Sequence, residues 1–129
     1  MTPELAALAA TAFIHLVAVG WSQKELTKDV GTDGNAGPRD GDLDISTRTA
    51  RLRRALANHT ENIGPFIIAV VLVELTDTNS LLTAIAAWVF VAARTLYLPA
   101  YAFAWVPWRS AIYTVGLIAT FTMIIRSFF

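Results

Sequence analysis

Four long apolar segments, separated by three polar stretches, dominate the pattern of hydrophobic and polar positions along the chain. Each segment is near the length of about 20 residues that a helix needs to cross a bilayer. Two of the three connections are short, and short connections join antiparallel neighbours. The pattern therefore predicts an up-and-down bundle with spans at about residues 4–23, 47–75, 80–104 and 108–128, and a polar loop at 24–46.

The first apolar segment, Leu5 to Trp21, is interrupted only by Thr11 and His15. A signal peptide is the alternative interpretation of such a segment. The basic residues that open a signal peptide are missing, because only Glu4 precedes the run as a charged residue. The pattern favours a retained first membrane helix, with a threonine at position 2 as its N-cap and a proline at its first turn.

The stretch from 24 to 46 differs in kind, because it is rich in glycine and aspartate and contains Pro38. Such a composition is typical of a polar loop. Seven of the ten basic residues lie between Lys24 and Arg54. By the positive-inside rule this cluster predicts that the first loop is cytoplasmic and that both termini lie on the opposite side of the membrane.

Composition agrees with a membrane location. Hydrophobic residues make up 55% of the chain and charged residues 16%, against about 25% charged residues in soluble domains. The mean hydropathy is +0.52. The formal net charge of +0 argues neither for nor against nucleic acid, and no nucleic-acid partner is expected. There is no cysteine, so no thiolate or disulfide site is expected. The sequence thus predicts a single domain, residues 1–129, with the fold class of an all-α, integral membrane four-helix bundle.

A polar stripe marks the second helix. Arg51, Arg54, Asn58, Glu61 and Pro65 follow one another at steps of three and four, so they share one face of a helix. Only residues 63–75 of this segment are predominantly apolar, and these 13 residues are too few to span a bilayer alone. The polar residues just before them are therefore expected at membrane depth, facing protein rather than lipid. The proline predicts a kink or a freed carbonyl in this helix.

The third and fourth helices add polar side chains at the same end of the bundle. Arg94, Tyr97 and Tyr101 share one face of the third helix, and Arg109 and Tyr113 are neighbours on the fourth. The surplus of positive charge in such a cleft indicates a small anionic ligand. A structural salt-bridge network or a contact with anionic lipids is the alternative. No metal site is expected, because the two histidines have no third ligand at a suitable spacing.

These residues resemble the MAPEG family, the membrane-associated proteins of eicosanoid and glutathione metabolism. The pattern RxxRAxxNxxExxP resembles the second helix of that family, AARTLYLPAYA resembles its third helix, and VPWRSAIYT is similar to a segment of the prostaglandin E synthase branch. The resemblance implies a homotrimer that binds glutathione between subunits. It implies a role for eight residues: Arg109 and Ser110 in catalysis, and Arg54, Asn58, Glu61, Tyr97, Tyr101 and Tyr113 in glutathione binding.

The implied function is glutathione S-transferase or peroxidase chemistry on lipophilic electrophiles or lipid hydroperoxides. The expected partners are membrane lipids and a lipophilic small-molecule substrate. A non-catalytic structural or lipid-binding protein, whose polar cluster serves oligomer assembly, is the alternative, and a small transporter is a third. The sequence departs from branches of the family at Ala57 and Asn62 and in the first loop. The loop favours a small bacterial member, located in the inner membrane.

Overall fold

The computed structural model describes all 129 residues as four helices and no strands. The helices are α1 (Pro3–Ala36), α2 (Thr47–Leu75), α3 (Leu81–Ala102) and α4 (Trp108–Arg126). All four are long and apolar enough to cross a membrane. The predicted fold class, an all-α bundle of four membrane helices, is confirmed.

Hydroxyl side chains define where the first three helices begin. Thr2 accepts a hydrogen bond from the backbone N–H of Leu5 at 3.2 Å, with Pro3 in the first turn as predicted. Ser46 caps α2 in the same manner, and Ser80 forms a capping box with Thr83 at the start of α3. Each cap satisfies a backbone donor that the first helical turn leaves unpaired.

The first loop is shorter than predicted, since α1 continues to Ala36 through much of the stretch expected to be loop at 24–46. The continuation buries Ser22, Glu25 and Leu26 on one face, so this part of the chain has a buried stripe of its own. Helical geometry is interrupted only at Gly31, whose φ of 74° is open to glycine but strained for other residues. The predicted loop was therefore wrong for residues 24–36: Glu25 and Leu26 pack against the bundle, and residues 27–36 continue as helix although none of them is buried.

A carboxylate of α1 holds the remaining loop against the next helix. Asp29 Oδ2 accepts a hydrogen bond from the backbone N–H of Ser46 at 2.8 Å. The Thr49 hydroxyl and the Ser46 backbone lower the pKa of this carboxyl below its ordinary value, because hydrogen bonds favour the charged form. The contact lies beyond the apolar part of α1 and sets the start of α2 beside the end of α1.

At the other end of the bundle, two carboxylates tie three helices together. The hydroxyl of Thr2 donates to Glu74 at the end of α2. Thr83 Oγ1 donates to the buried carboxylate of Glu4 at 2.5 Å, which joins the starts of α1 and α3. Consecutive helices are therefore antiparallel.

Helices α2 and α3 occupy the middle of the bundle, since each contacts every other helix, whereas α1 and α4 do not touch one another. Phe66 and Phe90 form the centre of the main core cluster, with ring centroids 3.9 Å apart and planes 8° from parallel. Large apolar side chains also cover the outside, for example Phe13 and Phe121, which are 70% and 62% exposed. An apolar exterior of this extent is expected of a surface that faces lipid.

Candidate functional site

A polar cleft of about 370 Å³ opens between α2, α3 and α4, at the end of the bundle where the loops 37–46 and 103–107 lie. Its walls hold two cations, one carboxylate, one amide and two phenols. The lining residues are Arg54, Ala57, Asn58, Glu61, Tyr97, Tyr101 and Arg109. The structure thus brings six of the eight residues singled out in the sequence to one place.

Helical spacing places these side chains. Arg54, Asn58 and Glu61 lie on successive turns of one face of α2, as the steps of four and three predict. Tyr97 and Tyr101 lie one turn apart on α3, with their rings 5.7 Å apart in an edge-on arrangement. No loop residue lines the cleft, so its geometry is set by the packing of three helices.

Tyr101 lies between the two arginines of the cleft. Arg54 Nε donates to the Tyr101 hydroxyl at 3.3 Å. The guanidinium carbon of Arg109 lies 4.7 Å from the centroid of the Tyr101 ring, a cation–π distance. One aromatic side chain therefore holds two positive groups, from α2 and α4, on the same side of the cleft.

The charges of the cleft are not neutralised within the chain. The only two ion pairs of the structure both involve Glu25, on α1, which pairs with Lys28 and Arg48. Neither Arg54 nor Arg109 has a carboxylate partner, and Glu61 has no cationic partner. The salt-bridge network considered as an alternative therefore does not form inside one subunit, and the charges remain available to a ligand or a neighbouring chain.

Arg94, which the sequence predicted among the positive groups of the cleft, lies behind the cleft wall instead and supports it. The residue is only 1% exposed, and its Nη1 donates to Asn58 Oδ1 at 3.1 Å. The guanidinium carbon lies 5.2 to 5.5 Å from the centroids of Phe90, Tyr97 and Tyr113. The shared face of Arg94 with two tyrosines was visible in the sequence, but its pairing with an asparagine of α2 was not.

Two of the eight predicted residues lie outside the cleft wall. Tyr113 is half-buried on α4, and its ring packs on Tyr97 with centroids 6.3 Å apart, so it borders the cleft from behind. Ser110 is exposed, and its hydroxyl forms no hydrogen bond within the chain. Roles for these two residues stay predictions.

The histidines form a separate feature between α1 and α2. The rings of His15 and His59 stack, with centroids 5.6 Å apart. His15 also lines an apolar groove of about 700 Å³ on the outside of α1 and α2, together with nine mainly aliphatic neighbours. This groove is larger than the polar cleft but contains no charged residue. The charged side chains that could bind a ligand therefore lie in the cleft.

Comparison with known proteins agrees with the arrangement of helices and polar residues. The family model described as MAPEG family matches residues 4–129, essentially the whole chain. The chain belongs to the MAPEG family. This family includes glutathione transferases and related membrane proteins, and membership together with four spanning helices makes the chain an integral, multi-pass membrane protein. No curated protein and no solved structure matches it.

Proposed function

We propose that this MAPEG protein binds glutathione in the polar cleft and uses it as a glutathione S-transferase or peroxidase on lipophilic substrates. The observation that carries the proposal is the set of unpaired charges, two guanidinium groups and one carboxylate, around one cavity. Family membership supports the choice of ligand, since MAPEG members commonly use glutathione.

The charges of the cleft complement those of glutathione. At neutral pH glutathione carries two carboxylates and one ammonium group, besides its peptide bonds and its thiol. Arg54 and Arg109 can each receive a carboxylate or another anionic group, and Glu61 can receive the ammonium. The phenols of Tyr97 and Tyr101 supply hydrogen-bonding groups for the peptide backbone of the ligand.

We assign the action on the thiol to Arg109, as the family resemblance implies. It lies at the start of α4 and borders the cleft beside Tyr101. A guanidinium close to a thiol lowers the pKa of that thiol because it favours the thiolate. Ser110 follows in the same turn. Its hydroxyl is exposed, so in a homotrimer it can donate a hydrogen bond to the thiolate of a glutathione molecule bound between two subunits. Tyr113 lies one turn further along α4.

In the transferase reaction, the sulfur of bound glutathione forms a carbon–sulfur bond with the substrate as a leaving group departs with its electron pair. In the peroxidase reaction, two glutathione molecules are oxidised to the disulfide as a hydroperoxide is reduced to an alcohol and water. The protein's own contribution is to hold the thiolate and to keep the reacting end of the ligand within the bundle. The apolar exterior suits a substrate that arrives from the bilayer. We place the protein in a bacterial inner membrane, with its first loop on the cytoplasmic side. The working unit is a homotrimer.

Binding of glutathione to the detergent-purified protein tests the proposal. The thiolate is read from its ultraviolet absorbance, and affinity from calorimetry. We expect a thiolate signal in the parent protein, and its loss in Arg109→Ala. Arg126→Ala is the matched control, because it removes an arginine from the opposite end of the same helix.

A second pair of variants separates ligand binding from assembly. Arg54→Ala should weaken glutathione binding roughly tenfold or more, since it removes a charge-assisted contact. Arg53→Ala should not, because Arg53 is exposed and does not line the cleft. Light scattering of the same samples gives the oligomeric state. Dissociation by Arg54→Ala, without any glutathione binding in the parent, would instead establish the structural alternative, in which the cluster joins subunits.

A further inference from the structure

The side-chain amide of Asn58 has a fixed orientation in the cleft. Arg94 Nη1 lies 3.1 Å from one end of the amide, and Asn62 Nδ2 lies 3.5 Å from the same atom. A guanidinium has hydrogen-bond donors and no acceptor. The atom of Asn58 that faces Arg94 must therefore be the carbonyl oxygen, and the NH₂ group takes the opposite end.

The NH₂ group of Asn58 is left free on the side of the cleft. It donates no hydrogen bond within the chain, and it is accessible rather than buried. Asn58 itself is half-buried and lines the cleft. The amide therefore presents donors to whatever occupies the cleft, and its acceptor is already in use.

Arg94 is held firmly enough to impose this orientation. Aromatic rings surround its guanidinium, and Gly116 of α4 leaves just enough space for it. A Cβ at Gly116 would lie 3.0 Å from Arg94 Nη2 and 3.4 Å from Nε. Arg94 has no carboxylate partner, so Asn58 is the only hydrogen-bond acceptor that this buried cation has.

We propose that Arg94 is a positioning residue that determines specificity: it turns the Asn58 amide so that the cleft selects a ligand with an acceptor, a carboxylate or peptide carbonyl oxygen, at that point. The inference rests on the proposed function and deepens it. With Arg54, Arg109 and the Asn58 amide all donating, Glu61 is the only charged acceptor left in the cleft.

A double-mutant cycle on glutathione affinity tests the proposal. The variants are Arg94→Met, Asn58→Ala and the two combined, in the intact detergent-purified protein. If Arg94 acts through Asn58, each single variant weakens binding by a similar factor, roughly tenfold for a lost hydrogen bond to a charged or carbonyl group. The combined variant then binds no more weakly than Asn58→Ala alone. Factors that multiply in the combined variant would overturn the positioning role.

Gly116→Ala gives a second approach that retains the arginine. The added methyl group displaces the guanidinium by a few tenths of an ångström, so glutathione should bind several-fold more weakly in the parent background and unchanged in the Asn58→Ala background. Gly20→Ala is the control, because nothing lies within 4 Å of the Cβ that it adds. An equal loss from Gly116→Ala in both backgrounds would show that Arg94 does not act through Asn58.

Asn58→Asp separates this inference from the proposed function. The new carboxylate can pair with Arg94, so the thermal midpoint should rise, while glutathione affinity falls because the donor facing the ligand is lost. The rise in midpoint should vanish when Arg94→Met is combined with it. If the parent protein binds no glutathione, the proposed function fails, and the thermal cycle alone decides whether Arg94 and Asn58 are coupled. Absence of coupling there overturns the inference.

Discussion

Truncation of Phe66 measures how much of the stability of this bundle comes from packing. Phe66 is 0% exposed and stacks on Phe90 of α3. For a soluble protein, part of the loss is the free energy of transferring the apolar ring from water to the protein interior. In a membrane this contribution nearly vanishes, because lipid tails are as apolar as the protein interior. What remains for Phe66→Ala is the cavity that the missing ring leaves, together with the lost aromatic pair.

The expected loss follows from these two contributions. Removal of the ring opens about 100 Å³, and at about 24 cal/mol per Å³ the cavity costs about 2.4 kcal/mol if nothing collapses. The aromatic pair adds about 1 kcal/mol. Phe66→Ala should therefore lower the free energy of unfolding by about 3 kcal/mol, because Phe66 lies between α2 and α3, the two central helices.

Reversible unfolding in mixed micelles, followed by circular dichroism during titration with a denaturing detergent, gives the free energy directly. Phe121→Ala is the matched control, since Phe121 is 62% exposed on α4 and lipid or detergent can fill the space that its ring leaves. The control should change stability by less than about 0.5 kcal/mol. Equal losses in the two variants, or a loss below about 1 kcal/mol for Phe66→Ala, would refute the packing explanation.

Three further predictions concern the ends of the bundle and its surface. Thr83→Val should lower the free energy of unfolding by about 1–3 kcal/mol, because the buried carboxylate of Glu4 loses the one donor that it has, and detergent unfolding measures the change. The pKa of Asp29 is lowered in the folded chain, so its stabilisation of the loop is complete above the ordinary value of 3.8 and is lost as the pH falls through the lower folded value. Pepsin cleavage of residues 37–46, divided by its rate on an unstructured peptide at the same pH, should therefore be slower near pH 5 than near pH 2, and Asp29→Asn, which weakens the contact to Ser46, should remove most of this normalised difference. Gly20→Ala should leave stability unchanged or raise it by up to about 1 kcal/mol in a thermal unfolding measurement, because the methyl group meets open space and alanine favours the helix.

The sequence alone determined the number and type of the helices and most of their boundaries. Long apolar segments have few alternatives to a helix in a bilayer, since every backbone polar group must be paired within the segment. The threonine placed directly before the first segment marked the start of its helix, at Thr2. The shared face of Arg54, Asn58 and Glu61 also followed from helical periodicity alone, because all three lie on one continuous helix.

Tertiary structure decided the end of the first helix, the partners of the charges and the position of the cleft wall. Glycine and aspartate content predicted a loop from residue 24, but Glu25 and Leu26 are buried against the bundle, and the chain stays helical to Ala36 with one interruption at Gly31. The rotation of α4 about its axis brings Arg109 into the cleft and leaves Ser110 outside it. Periodicity fixes which residues share a face of one helix, but only packing between helices fixes which faces meet, and so only the folded bundle shows that Arg94 pairs with Asn58.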